Sequence, residues 1–246
     1  MNKKLNGEAN KQPLIIYGRH AVLAALANPE RQINKLLCTK DNEAELAKIS
    51  KIRPQTVERK EIDKLLGSEA VHQGMVAFAQ RLEEWNMEDL LTATQDKTDC
   101  HILILDQVTD PQNVGAIIRS AVAFDTFALV MQDKNSPIES GAMDKAAAGM
   151  IEHLPIVRAV NLARAIDKLK EAGFWIVGMD GYAKTTIADM QKGGKVAVVM
   201  GSEGKGMRRL VEESCDIAVR LPISDKTESL NVATAAAIAL YEINKR

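Results

Sequence analysis

Cysteine is sparse and badly placed for either of its usual structural uses. Cys38, Cys100 and Cys215 are odd in number and far apart, and no CxxC or Cys/His pair occurs. His20, His72, His101 and His153 also lack metal-ligand spacing. A disulfide framework and a zinc site are therefore excluded as organising features, no metal is expected, and a reducing cytoplasm is the expected setting. No apolar run approaches the roughly 18 residues of a membrane span. The opening MNKKLNGEANKQP is polar, with lysines but no apolar h-region, and does not read as a signal peptide. Residues 1–12 are expected to form a flexible tail. There is no internal repeat and no low-complexity tract.

The two common glycine-rich phosphate loops are missing as well. The stretch GSEGKG, residues 201–206, follows the apolar run VAVVM and invites the comparison. A P-loop needs Gly-Lys followed by Ser or Thr, but here Lys205 is followed by Gly206. The dinucleotide pattern G-x-G-x-x-G fails on the spacing of Gly201, Gly204 and Gly206. Glu203 would place a carboxylate against any phosphate. The loop suits a ligand without phosphates, or else it is a tight strand-to-helix turn.

What is present is enough apolar sequence for a core: 46% hydrophobic against 26% charged residues over 246 positions. The net charge of −1 hides an asymmetry. Residues 1–82 carry 14 Lys/Arg and 9 Asp/Glu, and residues 83–246 carry 18 and 24, so the parts stand at +5 and −6. A basic first third is a modest pointer to a polyanionic partner.

Residues 13–82 read as a small α/β unit. PLIIYG, INKLLCT, QTVERK and GMVAFAQ are its strands. RHAVLAALAN, DNEAELAKISK (capped by Asp41) and EIDKLLG are its helices. Residues 83–97 are acidic and polar and read as a linker containing at most one short helix. Residues 98–246 form a second domain in which strands and helices alternate. HILILD, TFALVMQ, FWIVGMD, KVAVVMG and IAVRLPI are strands, and LPIVRA is an edge strand with its proline. VGAIIRSAVAF, SGAMDKAAAGM, NLARAIDKLKEAG (capped by Asn161), MRRLVEES and SLNVATAAAIALYEINK are helices. Repeated β-α-β units predict a mainly parallel sheet covered by helices on both faces, with ligands beyond the carboxyl ends of the strands.

Three stretches stand at such ends: LDQVTDPQNVGAIIRS with Asn113 and Arg119, MGSEGKGM with Gly201 and Glu203, and LPISDKTESLNV with Ser229 and Asn231. Arg119 interrupts an apolar helix and is either a solvent-face residue or a functional one.

Together and in this order, the three stretches resemble the SpoU (TrmH) family of SPOUT methyltransferases. The match is Asn113-Val114-Gly115-Ala116-Ile117-Ile118-Arg119, then Gly201-Ser202-Glu203-Gly204-Lys205-Gly206, then LPISDKTESLNV, covering about 101–243. YGRHAVLAAL and HQGMVAFA make residues 13–82 similar to the L30e-like substrate-binding domain of members that methylate a guanosine of 23S rRNA. Asp225 stands where the family usually has Gly, and Thr227 where it often has Val.

The resemblance implies an α/β fold with a deep trefoil knot at the carboxyl end, roughly from GSEGKG onward. It implies S-adenosylmethionine (SAM) held against the backbone of Gly201, Leu221, Ile223 and Leu230. It also implies a homodimer formed through the knotted domain, and an RNA partner rather than DNA or a membrane. Arg119 is the implied catalytic residue, with Asn113, Glu203, Ser229 and Asn231 orienting it and the ribose. A tRNA enzyme or a resistance-type rRNA enzyme of the same family, and a non-catalytic RNA-binding module, are the alternatives.

Overall fold

The structure is a computed structural model that describes residues 13–190 and 193–245. The expected tail, residues 1–12, lies outside the described residues. In chain order the elements are β1 (Leu14–Tyr17), α1 (Arg19–Ala27), β2 (Ile33–Cys38), α2 (Lys40–Ile49), β3 (Gln55–Thr56), α3 (Arg59–Leu66) and β4 (Met75–Ala79). There follow α4 (Met87–Thr94), β5 (Cys100–Leu105), α5 (Pro111–Ala123), β6 (Ala128–Gln132), α6 (Gly141–Ala147), β7 (Ile156–Ala159) and α7 (Leu162–Glu171). The chain ends with β8 (Trp175–Met179), β9 (Thr185–Thr186), β10 (Lys195–Met200), α8 (Arg209–Glu213), β11 (Ile217–Arg220) and α9 (Val232–Asn244). They form two compact units, one of residues up to Glu83 plus Ile138–Glu152, the other of Glu84–Pro137 plus His153 onward.

The first unit has a four-stranded sheet in the order β1-β4-β2-β3. β4 runs antiparallel to β1 and β2, and β3 runs parallel to β2. One face carries Leu14, Ile16, Leu36, Cys38, Met75, Ala77 and Ala79 into a core with Ala21, Val22, Ala25 and Leu46. The other packs Leu37 and Val76 on Ile62 of α3. The strand alternation is thus used on both faces. Helix α2 starts earlier than its sequence indicates: Thr39, not Asp41, is the cap position, and Asp41 sits in the first turn. A carboxylate there still faces the positive helix end.

Residues 138–152, expected in the second domain, pack in the first unit. α6 approaches the backbone of β1 so closely that a Cβ on Gly141 would sit 2.4 Å from the Ile15 carbonyl oxygen. The segment is held by Arg31, whose side chain has no exposed surface and meets Glu139 at 2.5 Å and Glu152 at 2.8 Å. Arg31 Nη1 also donates to the Gln80 carbonyl, and Asn28 donates to Glu152. Asp144 lies buried beside them, and neither of its carboxylate oxygens has a donor among the described residues. Burial first, and then the Glu139 carboxylate, push the Asp144 carboxyl well above the usual carboxylate range. Burial likewise raises Glu139, against the pull of Arg31.

The second unit has seven strands in the order β7-β6-β5-β10-β8-β11-β9, and every pairing is parallel. Such a sheet needs apolar residues on both faces. Ile102, Ile104, Val130, Ile176, Ala197 and Val199 pack on Leu90 of α4 and on Leu162, Ile166 and Leu169 of α7. The opposite-pointing Leu103, Leu105, Leu129, Met131, Val177 and Val198 are equally buried. The stretch expected to be a linker contributes to this unit. Asn86 caps α4 by accepting from Glu88 and Asp89, and Trp85 exchanges backbone hydrogen bonds with Ile156 and Arg158 on the edge strand β7.

The Asp144 site sets a pH dependence. A carboxyl with a raised folded pKa binds more protons folded than unfolded between its unfolded value, about 4, and the raised one, so stability falls as pH rises through that window. Asp144→Asn removes the charge and keeps the shape. As pH rises from about 4 toward the raised value, the urea midpoint of the wild type should fall relative to that of the variant, a difference read by circular dichroism. Parallel pH profiles would show that Asp144 carries no such burden.

Candidate active site

The parallel sheet brings the segments after β5, β10 and β11 to one edge, where the first of the three sequence-defined stretches is bonded to both of the others. Asp110 caps α5 by accepting from Gln112, and Pro111 occupies the first turn, where a missing N–H is harmless. Asn113 lies in the same turn. Asn231 caps α9, its Oδ1 accepting from the Ala233 N–H at 2.9 Å and from the Thr234 N–H at 3.4 Å. Its Nδ2 donates to Asn113 Oδ1 at 3.0 Å, across 118 positions of sequence. One side chain thus caps a helix and fixes that helix start to another. Farther along, Phe124 and Tyr241 meet edge to face with centroids 5.9 Å apart.

Arg119 lies on the exposed side of α5, whose buried side is Val114, Gly115, Ile117, Ile118 and Ala121. At 100° per residue it points well away from Asn113. Its guanidinium has no hydrogen-bond or ion-pair partner among the described residues.

GSEGKG folds into a small hairpin. The Ser202 N–H donates to the Gly206 carbonyl at 3.0 Å, and the Gly206 N–H donates to the Ser202 carbonyl at 2.9 Å. Glu203, Gly204 and Lys205 form its exposed tip, with Gly204 and Gly206 at positive φ. Gly201 is required at the base, because a Cβ there would lie 2.2 Å from the Gly206 carbonyl carbon. Glu203 has no ion-pair partner among the described residues, so it is not joined to Arg119 within the chain.

Leu221, Ile223 and Leu230 line one cleft of about 190 Å³, together with Ile187, Ala188, Pro222, Ile238 and Glu242. Gly201 is not among its lining residues. The walls are mainly apolar, with one carboxylate and no cation, a poor place for a polyphosphate and a good one for an uncharged or cationic ligand. Ser229 contributes its carbonyl oxygen to the Thr227 hydroxyl at 3.0 Å. Neither Asp225 nor Thr227 has a positive φ, so the loop needs no glycine at 225.

One feature of this edge has no sequence pattern to announce it. Asp106, the residue after β5, is fully buried. Its Oδ1 accepts from Arg208 Nε at 2.8 Å and lies 2.7 Å from Nη2, while its Oδ2 accepts from the Arg208 backbone N–H at 2.7 Å. Only the acidic end of an apolar run could have drawn attention to Asp106, and nothing local points to a partner 102 residues away.

The family models match this arrangement in both parts. Residues 101–241 match the SpoU rRNA Methylase family, and residues 15–85 match a domain described as RNA 2′-O ribose methyltransferase substrate binding. The chain belongs to the SpoU rRNA methylase family. As a member of it, the protein is an RNA methyltransferase. The 23S rRNA (guanosine-2′-O-)-methyltransferase RlmB of Pseudomonas putida is 36% identical, over 92% of this chain and 94% of the relative. YacO of Bacillus subtilis, assigned to the TrmH family of tRNA/rRNA methyltransferases, is 36% identical over 94% of this chain and 95% of its own length. Among solved structures, the SpoU methyltransferase AviRb of Streptomyces viridochromogenes, in complex with AdoMet, superposes with a TM-score of 0.82. That match has 21% identity and covers 98% of this chain and 92% of the other. The fold is therefore that of SpoU methyltransferases: a large parallel sheet preceded by a small α/β unit.

The double use of Asn231 can be separated by substitution. Asn231→Ala removes both the cap and the link to Asn113 and should cost about 1 kcal/mol or more in urea unfolding. Asn231→Asp keeps the cap oxygen and loses only the Nδ2 donor, so it should cost less. Equal losses would mean that the link to Asn113, not the cap, carries the energy.

Proposed function

We propose that this SpoU family member transfers a methyl group from SAM to a ribose 2′-hydroxyl, with a guanosine of 23S rRNA as its target. The observation that carries the reading is one sheet edge, where the Asn113–Asn231 pair, the Gly201 hairpin and the cleft of Leu221, Ile223 and Leu230 come after strands of one parallel sheet. The cleft chemistry fits SAM, a cationic sulfonium with no phosphate. Leu221, Ile223 and Leu230 would hold it, with the Gly201 backbone alongside. The 36% identity to RlmB along almost the whole chain is what supports a 23S guanosine as target.

SAM supplies an electrophilic methyl group whose departure from sulfur needs no acid. The protein must position the hydroxyl, let its proton leave and keep water away. Arg119 is the proposed catalytic residue. A guanidinium stays protonated in proteins, so it cannot act as a simple base. Exposed and without an intramolecular partner among the described residues, it is available to grip an RNA phosphate and to stabilise the developing alkoxide. A phosphate oxygen of the RNA then accepts the proton. Asn113, Ser229 and Asn231 orient the ribose at the junction of α5 and α9. Glu203, at the hairpin tip, faces outward to the substrate or to a second copy of the chain.

The same reading includes a homodimer through the second unit, supported by Ile238 and Tyr241 of α9, which are 39% and 50% exposed. It also includes a trefoil knot from β10 onward, supported by β10 lying between β5 and β8, both earlier in the chain. The first unit is the proposed RNA-binding part, and the setting is the cytoplasm. No helix among the described residues is long and apolar enough to cross a membrane.

Methyl-labelled SAM and total RNA test the target. Label should enter 23S rRNA at a guanosine ribose, and label confined to tRNA would move the assignment to the tRNA alternative. Arg119→Ala should lower turnover by about two orders of magnitude or more, as loss of a charge-stabilising donor does, with SAM affinity by calorimetry unchanged. Near wild-type turnover would remove Arg119 from the catalytic role.

A further inference from the structure

The Asp106–Arg208 pair sits beside the site without belonging to the set of residues that the reaction requires. Its geometry is selective. The Asp106 N–H donates to the carbonyl of Met200, the residue just before the hairpin, at 2.8 Å. The Asp106 carboxylate takes the backbone N–H and the guanidinium of Arg208, just after the hairpin. A single residue at the end of β5 therefore holds both stems of the loop 201–207. The loop is also pinned internally by the paired Ser202 and Gly206, and its base is close-packed where Gly201 meets Gly206 and Met207. Asp106 stands four residues before Asp110, the cap of the helix that carries Asn113 and Arg119.

The two partners differ in exposure: the Asp106 side chain has none, and that of Arg208 is 37% exposed. A buried carboxylate with both oxygens taken by one residue is held in a single geometry, and losing that partner leaves an uncompensated charge. The sheet does not need this pair to form, since β5 and β10 already share a full parallel ladder from Cys100/Lys195 to Leu105/Met200. The pair adds the placement of the loop beyond the ladder.

We propose that Asp106 and Arg208 are positioning residues of the methyl-transfer site, acting through the 201–207 hairpin to hold the Gly201 backbone where SAM binds. The proposal rests on the reading of the protein as a SAM-dependent methyltransferase with its cofactor at this edge. Neither residue touches the reacting atoms. Misplacing a supporting element by about 1 Å can cost on the order of 100-fold in activity, and on this reading the hairpin stands beside the cofactor rather than in the cleft wall, so the effect belongs in cofactor affinity.

The test uses the full-length protein and three variants, Arg208→Ala, Arg208→Lys and Asp106→Asn. SAM binding is measured by calorimetry, and amide hydrogen exchange at Ser202 and Gly206 is measured without SAM. For Arg208→Ala and Asp106→Asn the SAM dissociation constant should rise about tenfold or more, and exchange at both amides should accelerate by a similar factor. Arg208→Lys keeps the cation and the backbone N–H but loses the two-nitrogen fork, and should recover part of both losses. SAM affinity within about twofold of wild type, with exchange unchanged, overturns the proposal. So does lysine behaving no better than alanine. If Asp106→Asn does not fold, the partly exposed Arg208 variants carry the test. A wild-type protein that binds no SAM overturns the functional reading instead, and the exchange rates still report whether the pair orders the loop.

Discussion

The parallel ladder between β5 and β10 is the constraint on which the rest of the site depends. It joins two strands separated by almost 90 residues of chain, and its register places Leu105 opposite Met200. Both strands therefore end at the same level, and the segment leaving one is forced to meet the segment leaving the other. Asp106 meets the hairpin stems for this reason. β10 pairs with β8 on its other side, and β8 with β11. The segment that continues from β11 to Asn231 is thereby delivered to the same edge. A shift of one residue in the β5–β10 register would turn Asp106 from the buried pocket to the other face, and its carboxylate would lose Arg208.

Much of this is legible in the sequence where the signal is local. Apolar runs such as HILILD and KVAVVM form strands buried on both faces, as their lack of alternation requires. LPIVRA forms an edge strand, where a preceding proline does no harm. Asn161 caps its helix as its position indicates, because an Asx cap is decided within three residues. The cap of α2 lies two residues before the expected one, and Asp41 and Glu43 instead place negative charge in the first turn, where the helix dipole favours it. Met87, Leu90 and Leu91 of α4 do stand at helical spacing, but a single short amphipathic stretch among acidic residues does not reveal that it packs into the core of the second unit.

Apart from Asn113 and Asn231, which the ordered motifs group, partners far apart in sequence are not legible. Nothing in residues 138–152 indicates that Glu139 and Glu152 meet Arg31, because a buried ion pair has no periodicity. The same holds for Asp106 and Arg208. Glycine spacing is more informative than its use in phosphate tests would indicate. Gly201, Gly204 and Gly206 read as a loop unsuited to phosphates, and the structure supplies the reason for each: close backbone contact at Gly201, and left-handed backbone at the other two. The departure at Asp225 has no geometric consequence, since the backbone there is one that any residue adopts.

Two of the buried acids, Asp106 and Asp144, show how differently the fold treats charge in its two units. Asp106 has both oxygens filled, at the edge expected to hold the cofactor. Among the described residues Asp144 has neither filled, and it is near two further carboxylates, Glu139 and Glu152, and one arginine, Arg31. A carboxylate in the first situation holds its partner in one place and ties the loop 201–207 to the sheet. In the second it is a cost to the folded state that grows with ionisation. A protein selected for stability alone would have little reason to keep an acid at 144, where Asn fills the same space. At 106 no neutral residue could take the guanidinium and the backbone N–H of Arg208 together with full charge. The placement of the loop 201–207 therefore draws on an acid at 106, while in the first unit Arg31 is the cation that Glu139 and Glu152 share and Asp144 does not reach.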